Sequence, residues 1–310
     1  MYIYHHFWDL TVLGLTLGCV YALIAIGYTL VYGVLQLINF AHSEIFMTGA
    51  FGGTFAITAL VGKDAKVPSG MTSVLYLGIG LLAGALAGGL LAFLLERVAY
   101  RPLRRRGSPK LVYLITAIGA SIFLYNLAGK LFGRNNLPLP AVFTTGKVFT
   151  LFGANVTNLQ LLIIGSAVVM MIGLDLLVNK TKLGSGIRAV AQDTETAQLM
   201  GVDINKVISW TFIIGGLLGG IAGVLFGVFN SVSYSMGFVP GIKAFAAAVL
   251  GGIGNIRGAM LGGILLGLVE SYSQAFFSSD WLDVVAFVVL VGVLMIRPTG
   301  ILGERVGRTA

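Results

Sequence analysis

Residues 10–34 read LTVLGLTLGCVYALIAIGYTLVYGV. This run of 25 residues contains no Asp, Glu, Lys or Arg. As a helix rising 1.5 Å per residue it is about 37 Å long, more than the ~30 Å hydrocarbon core of a bilayer. The rest of the chain repeats the pattern. Of 310 residues only 10% are charged and 57% are apolar, against about 25% charged in soluble domains. Too little charge is present to coat a water-facing surface, which excludes a soluble enzyme. Seven further apolar stretches follow, at Ile45–Val61, Val74–Leu95, Leu111–Phe132, Leu159–Val178, Val207–Phe229, Ala259–Phe277 and Trp281–Ile296. A ninth piece, Pro240–Ile253, has only 14 residues, the length of a half-helix or of a short span buried in protein. The expected fold is an all-α polytopic membrane protein of about eight transmembrane helices plus one or more short or re-entrant helices, in a single transmembrane domain over residues 1–310.

The start, Met1 to Asp9, has no Lys or Arg. It lacks the basic region of a cleaved signal peptide, so the first run is expected to be a retained span. The single Cys19 excludes an intrachain disulfide. The 44 glycines are spread through the apolar runs. Several recur at a spacing of four, which strips side-chain bulk from one stripe of a helix: Gly14 and Gly18, Gly84 and Gly88, Gly219, Gly223 and Gly227, and Gly263 and Gly267. These predict close helix packing.

The formal charge is +8, but the basic residues gather in loops, as in membrane proteins, rather than forming a nucleic-acid surface. Arg97, Arg101, Arg104, Arg105, Arg106 and Lys110 crowd one loop, Lys180, Lys182, Arg188 and Lys206 a second, and Arg297, Arg305 and Arg308 the tail. All three are expected on the cytoplasmic side. Alternation then puts 62–73, 134–158 and Met1 outside, although a re-entrant piece near Asn39 would reverse the N-terminal side. The tail returns inside only if Pro240–Ile253 crosses or nearly crosses.

An ionised group at mid-span costs about 2.5–3.5 kcal/mol, so each should have a partner or face water. The densest polar stretch is Asn39-Phe40-Ala41-His42-Ser43-Glu44, following Tyr28 and Tyr32 on the preceding span. Tyr28, Asn39, Phe40, His42 and Glu44 are candidates for the path of a zwitterionic solute. The alternative is a plain turn in which Ser43 caps a helix beginning at Ile45 and Glu44 favours its positive end. Lys243 and Glu270 are candidates for a buried charge pair. Alternatively, Lys243 reaches an interface while Glu270 faces an aqueous cavity lined by Ser271, Tyr272 and Ser273, or Glu270 carries a proton alone. The loop 180–206 contains a Gly-bounded amphipathic segment, Gly184 to Gly201, whose apolar positions include Leu199 and Met200. It is expected to dock on another protein. No G-x-x-x-x-G-K-[ST], HExxH, CxxC or G-x-S-x-G occurs, and His5, His6, His42 and Cys19 have no metal-site spacing. Catalysis by this chain has no support in the sequence.

Five stretches resemble one family. They are YALIAIGYTLVYG at 21–33, INFAH at 38–42, ERVAYRPLR at 96–104, KAF at 243–245 with AVLGGIG at 248–254, and RPTGILG at 297–303. Together they are similar to the shorter of the two paired permeases of bacterial ABC importers for branched-chain amino acids. Ser43 departs from the pattern, where Gly is expected. Permeases for urea and short amides are closely similar. The resemblance implies a multi-pass protein of the inner membrane, in the lipid bilayer, with no cofactor of its own. Its implied partners are a second homologous permease, two cytoplasmic ATPase subunits that use ATP and Mg, and a periplasmic solute-binding protein. It also implies that the loop couples to the ATPase. Glu195-Thr196-Ala197 followed by Gly201 is similar to the E-A-A-x-x-x-G motif of importer coupling helices, and Arg188, Asp193, Glu195, Ala197 and Gly201 are the implied contact residues. The competing classes are an ion-coupled transporter using Glu270 and a structural membrane subunit.

Overall fold

The computed structural model describes residues 2–62, 71–140, 146–278 and 281–303. Arg305 and Arg308 of the basic tail lie outside the described residues, as do most of 62–73 and part of 134–158. The helices are α1 (Tyr2–Leu35), α2 (His42–Val61), α3 (Met71–Leu95), α4 (Arg101–Arg105), α5 (Lys110–Leu131) and α6 (Asn158–Lys180). They continue with α7 (Lys182–Gln192), α8 (Thr194–Leu199), α9 (Ile204–Phe229), α10 (Phe238–Gly251), α11 (Ile256–Ser273) and α12 (Leu282–Ile296). A π-helical turn, Glu96–Tyr100, joins α3 to α4 without a break.

Among the described residues, six helices are long and apolar enough to cross a membrane: His6–Leu35, His42–Val61, Met71–Arg105, Lys110–Leu131, Asn158–Lys180 and Ile204–Phe229. The last two expected spans are the shorter α11 and α12, of 18 and 15 residues. Asn255 caps α11 by accepting the Gly258 N–H, so that helix starts at Ile256, ahead of the expected Ala259, and it ends at Ser273, before the expected Phe277. Pro298 pushes Arg297 out of helical geometry, to φ −133° and ψ 88°, and α12 ends at Ile296 as expected. The fold also departs from all-α. Strands β1 (Lys147–Leu151) and β2 (Ala154–Thr157) form an antiparallel hairpin. Both turn residues have positive φ, 49° at Phe152 and 97° at Gly153, matching the turns that join twisted antiparallel strands.

The chain divides into two compact units: Leu30–Thr145 with Leu176–Ile242, and Met1–Thr29 with Gly146–Asp175 and Lys243–Ala310. In the first, α2, α3 and α9 pack through glycine seams. A Cβ on Gly84 would come within 2.8 Å of the Gly49 carbonyl, and one on Gly88 within 2.9 Å of Gly220 Cα. The α9 stripe that meets α3 is Gly216 and Gly220, one step round from the expected Gly219, Gly223 and Gly227. Gly223 lies instead against the Phe46 carbonyl on α2. Without a hydrophobic drive between helices in lipid, such close backbone approach is what holds a bundle together. At one end of this unit Val31, Tyr100, Tyr113, Ile187, Val207 and Phe212 belong to a common buried cluster.

In the second unit the glycine pairs at 14/18 and 263/267 meet each other. A Cβ on Gly14 would lie 2.9 Å from Leu268 Cα, and one on Gly18 2.8 Å from Ile264 Cα. The hairpin packs on the start of α1. Asn155 N donates to Asp9 Oδ1 at 3.0 Å, and the rings of Trp8 and Phe152 stack at 4.8 Å. The sequence motifs GGIG and RPTGILG stitch to each other, since Ile301 N donates to Leu250 O and Leu302 N to Gly251 O, each at 2.9 Å. Gly252 and Gly300 have φ of 108° and 81°, accessible mainly to glycine.

Candidate functional site: a polar helix turn, a buried charge cluster and a coupling loop

The polar turn lies in the unit of α2, α3 and α9. Gln36, with φ 53°, redirects the chain after α1. Asn39 Oδ1 then accepts the Ala41 N–H at 3.1 Å and the Tyr100 hydroxyl at 2.7 Å. Helix α2 begins at His42, not at Ile45, and no side chain caps it from Ala41. Ser43 therefore sits inside the first turn, donating to Phe40 O at 2.9 Å, and is not the cap that the simpler sequence reading required. Glu44, 2% exposed, accepts from Ser121 at 3.1 Å and Ser43 at 3.3 Å through Oε1. Its Oε2, like the Asn39 amide nitrogen, is buried without a hydrogen-bond partner among the described residues. The His42 ring stands beside Gly219, where an added Cβ would lie 3.5 Å from it. Asn39, His42 and Glu44 thus present amide, imidazole and carboxylate groups at one helix start. Phe40 packs on the apolar cluster of this unit. Tyr28, placed with them by the sequence, belongs to the other unit, where its ring meets Phe245 edge to face at 5.9 Å.

The buried charges are paired. Lys243 Nζ lies 2.8 Å from Glu270 Oε1 and 2.6 Å from Asp283 Oδ1, while Tyr21 donates to Glu270 Oε2 at 2.9 Å. The cavity reading of Glu270 fails because the neighbouring hydroxyls are engaged elsewhere. Ser271 donates to Leu10 O and Ser273 to Val269 O, both at 2.6 Å, and Tyr272 meets Thr11 at 2.7 Å. Asp283 was missed by the sequence reading. Its only signal was a carboxylate in the first turn of an apolar helix.

A second buried carboxylate was also missed. Glu96, fully buried, pairs with Arg104 at 2.9 Å and accepts from Ser209 at 2.9 Å, while Arg104 also donates to Asn205 at 2.9 Å. This ties the first basic loop to the start of α9, beside the coupling loop.

That loop forms two helices instead of one. Asp193, at φ −155°, breaks α7 from α8 and caps the latter, accepting from Glu195 N at 2.9 Å and Thr196 N at 3.2 Å. The Thr196 hydroxyl and amide hold the Asp193 carboxyl below its usual range. Thr181 caps α7, and Arg188 reaches back to the Val178 carbonyl at the end of α6. Ile187, Val190 and Ala197 are buried in the unit's apolar cluster, so Ala197 faces inward rather than toward a partner. Glu195 is exposed, Gly201 has φ 85°, and Leu199 and Met200 are 87% and 81% exposed. One face of the loop is core, and the other is polar except for Leu199 and Met200 at its end. Among the described residues no group of His, Cys, Asp and Glu is arranged to hold a metal ion.

A model of the family described as "Branched-chain amino acid transport system / permease component" matches residues 10–294. The chain belongs to this family. It is 43% identical over 308 residues, 97% of each chain, to the high-affinity branched-chain amino acid transport system permease protein BraD of Pseudomonas aeruginosa. It is 42% identical over 295 residues, 94% of each chain, to the LivH permease protein of the corresponding system in Escherichia coli. A solved structure described as an inward-facing metal-chelate type ABC transporter has a similar fold, with a TM-score of 0.53 over 96% of this chain and 91% of that one, at 17% identity. The family membership accounts for the polytopic architecture and for the absence of catalytic motifs.

Proposed function

We propose that this chain is the membrane-spanning permease subunit of an ATP-driven importer of branched-chain amino acids in the bacterial inner membrane. The observation that carries the proposal is the end-to-end likeness, at 43% and 42% identity, to permeases of high-affinity branched-chain amino acid transport. In this reading the chain pairs with a second homologous permease and receives solute from a periplasmic binding protein. Two cytoplasmic ATPase subunits bind ATP and Mg, and the chain itself holds no cofactor. Asn39, His42 and Glu44 border the solute path. The buried atoms of Asn39 and Glu44 without hydrogen-bond partners support this, because a buried polar group is costly unless a ligand or water meets it in some state. The α7–α8 loop passes ATPase movement to the spans, Leu199 and Met200 being the surface that seats on the partner. Pairing of Glu270 with Lys243 speaks against a free proton-carrying carboxylate at that position.

The topology follows the basic clusters. Arg104 bonded to Asn205 puts the first basic loop and the coupling loop at one end of their unit, consistent with a shared cytoplasmic side. Asp9 bonded to Asn155 puts the start of α1 with the hairpin, consistent with both outside.

The test is uptake into proteoliposomes holding the reconstituted complex, with leucine, isoleucine, valine and urea as solutes. ATP-dependent accumulation of the three amino acids, lost when the ATPase chains are omitted, is expected. Uptake without ATPase chains, or of urea alone, would overturn the proposal.

A further inference from the structure

The first basic loop has more arginine than its ion pairs use. Among the described ion pairs, Arg104 is engaged with Glu96, whereas Arg97, Arg101, Arg105 and Arg106 have no carboxylate partner. These four, with Pro102, line a cavity of about 260 Å³. Arg101 Nε is buried there without a hydrogen-bond partner. Clustered guanidinium groups repel one another, and an anion in this pocket would relieve that repulsion.

What precedes the pocket names the kind of anion. Among the exposed apolar residues of α3, Leu82, Leu86, Leu90 and Leu94 recur at every fourth position toward its end, and the exposed Val98 follows in the π-helical turn. Arg97, Arg101 and Arg105, spaced by four, follow in the π-helical turn and α4. Arg104 points elsewhere, to Glu96 and Asn205 beside the coupling loop. A row of exposed leucines long enough for an acyl chain therefore leads toward the arginines that line the cavity.

We infer that this pocket binds the phosphate of an anionic phospholipid whose acyl chain lies along Leu82, Leu86, Leu90, Leu94 and Val98. Basic pockets at the ends of membrane helices recognise such headgroups, each basic residue near the surface adding about 1 kcal/mol. Arg105 also borders a second cavity, shared with Thr194 and Gln198 of α8, and the inference stands whether or not the transport reading does. It would fix the end of α3, and through the Glu96–Arg104 pair the start of α9, to one leaflet.

The experiment uses the full chain labelled at Val98→Cys with a fluorophore and reconstituted in phosphatidylcholine vesicles containing spin-labelled lipid. Spin-labelled phosphatidylglycerol should quench the label more strongly than spin-labelled phosphatidylcholine. Each of Arg97→Gln, Arg101→Gln and Arg105→Gln should lower that preference about fivefold, and Arg134→Gln should leave it unchanged. Native mass spectrometry of the unlabelled wild-type chain, which needs no variant to fold, should show phosphatidylglycerol retained in preference to phosphatidylcholine. Equal quenching or retention of the two lipids overturns the inference. So does displacement of phosphatidylglycerol by an equal concentration of inorganic phosphate, which would make this a free-phosphate site. Unchanged lipid preference in the Gln variants with loss of co-purifying ATPase subunits would assign the arginines to a protein contact instead.

Discussion

Lys243 and Glu270, 27 positions apart on α10 and α11, form an ion pair of 2.8 Å, with Tyr21 of α1 and Asp283 of α12 bonded to either side. One lysine thus ties four helices within a unit otherwise held by backbone contacts between glycines. Its removal leaves the buried Glu270 and the half-exposed Asp283 without their counter-charge. Lys243→Met should lower stability in detergent by about 3 kcal/mol, the cost of breaking a buried pair, and Lys243→Met with Glu270→Gln should recover part of that loss. Thermal denaturation of the purified variants checks this. A double variant no more stable than the single one would mean that the pair carries no buried charge.

The α3–α9 seam should be equally sensitive. A Cβ on Gly220 would overlap the Gly84 carbonyl, a backbone atom that cannot rotate away. Gly220→Val is expected to cost 2 kcal/mol or more, about the upper range of overpacking, and to broaden the size-exclusion peak. Gly119→Ala, where nothing lies within 4 Å of the added carbon, should be neutral. Equal behaviour of the two would show that the seam is looser than described.

Glu44→Gln keeps the shape and the Ser121 and Ser43 contacts but removes the charge. Loss of a charge-assisted contact of about 1.5 kcal/mol should lower amino acid uptake about tenfold while the protein stays folded. Uptake at the wild-type level would remove Glu44 from the solute path.

The Asp193 cap has a pH signature. Its carboxyl is held below the ordinary aspartate range, so the ionised form is the one that stabilises α8. The stabilisation is complete above the unfolded pKa of about 4 and is lost as pH falls through the lower folded value. Hydrogen exchange at Glu195 and Thr196 should be slow and unaffected by loss of capping from pH 6 upward. Asp193→Ala should speed it there, and should weaken retention of the ATPase subunits. Unchanged exchange in that variant would show that α8 does not depend on the cap.

Single cysteines report the sidedness. Ser108→Cys and Thr194→Cys should react only from the cytoplasm, and Phe152→Cys, in the hairpin turn, only from outside. Reaction of Ser108→Cys and Phe152→Cys from the same side of intact cells would break the topology.

Much of this was legible in residues 10–34 and their like, because an uncharged run long enough to span a bilayer must be a helix in lipid, where backbone groups can bond only to one another. The glycine spacings, the clustered arginines and the amphipathic loop were readable for the same reason, since each depends on neighbours in the chain. Long-range pairing was not readable. Nothing near Gly14 says that its partner stripe is Gly263 and Gly267, and nothing near Glu96 says that Arg104 and Ser209 will neutralise it. The hairpin was passed over because its turn residues are Phe152 and Gly153, without the Asn-Gly or Asp-Gly signal. The last two expected spans correspond to α11 and α12, of 18 and 15 residues. The sequence by itself determined a bundle of membrane helices with an amphipathic loop at 180–206, since burial of apolar surface and satisfaction of backbone hydrogen bonds are set locally. Only the tertiary structure decided which charges meet, because an ion pair depends on distances of about 3 Å between side chains that the chain brings together from tens to hundreds of positions apart.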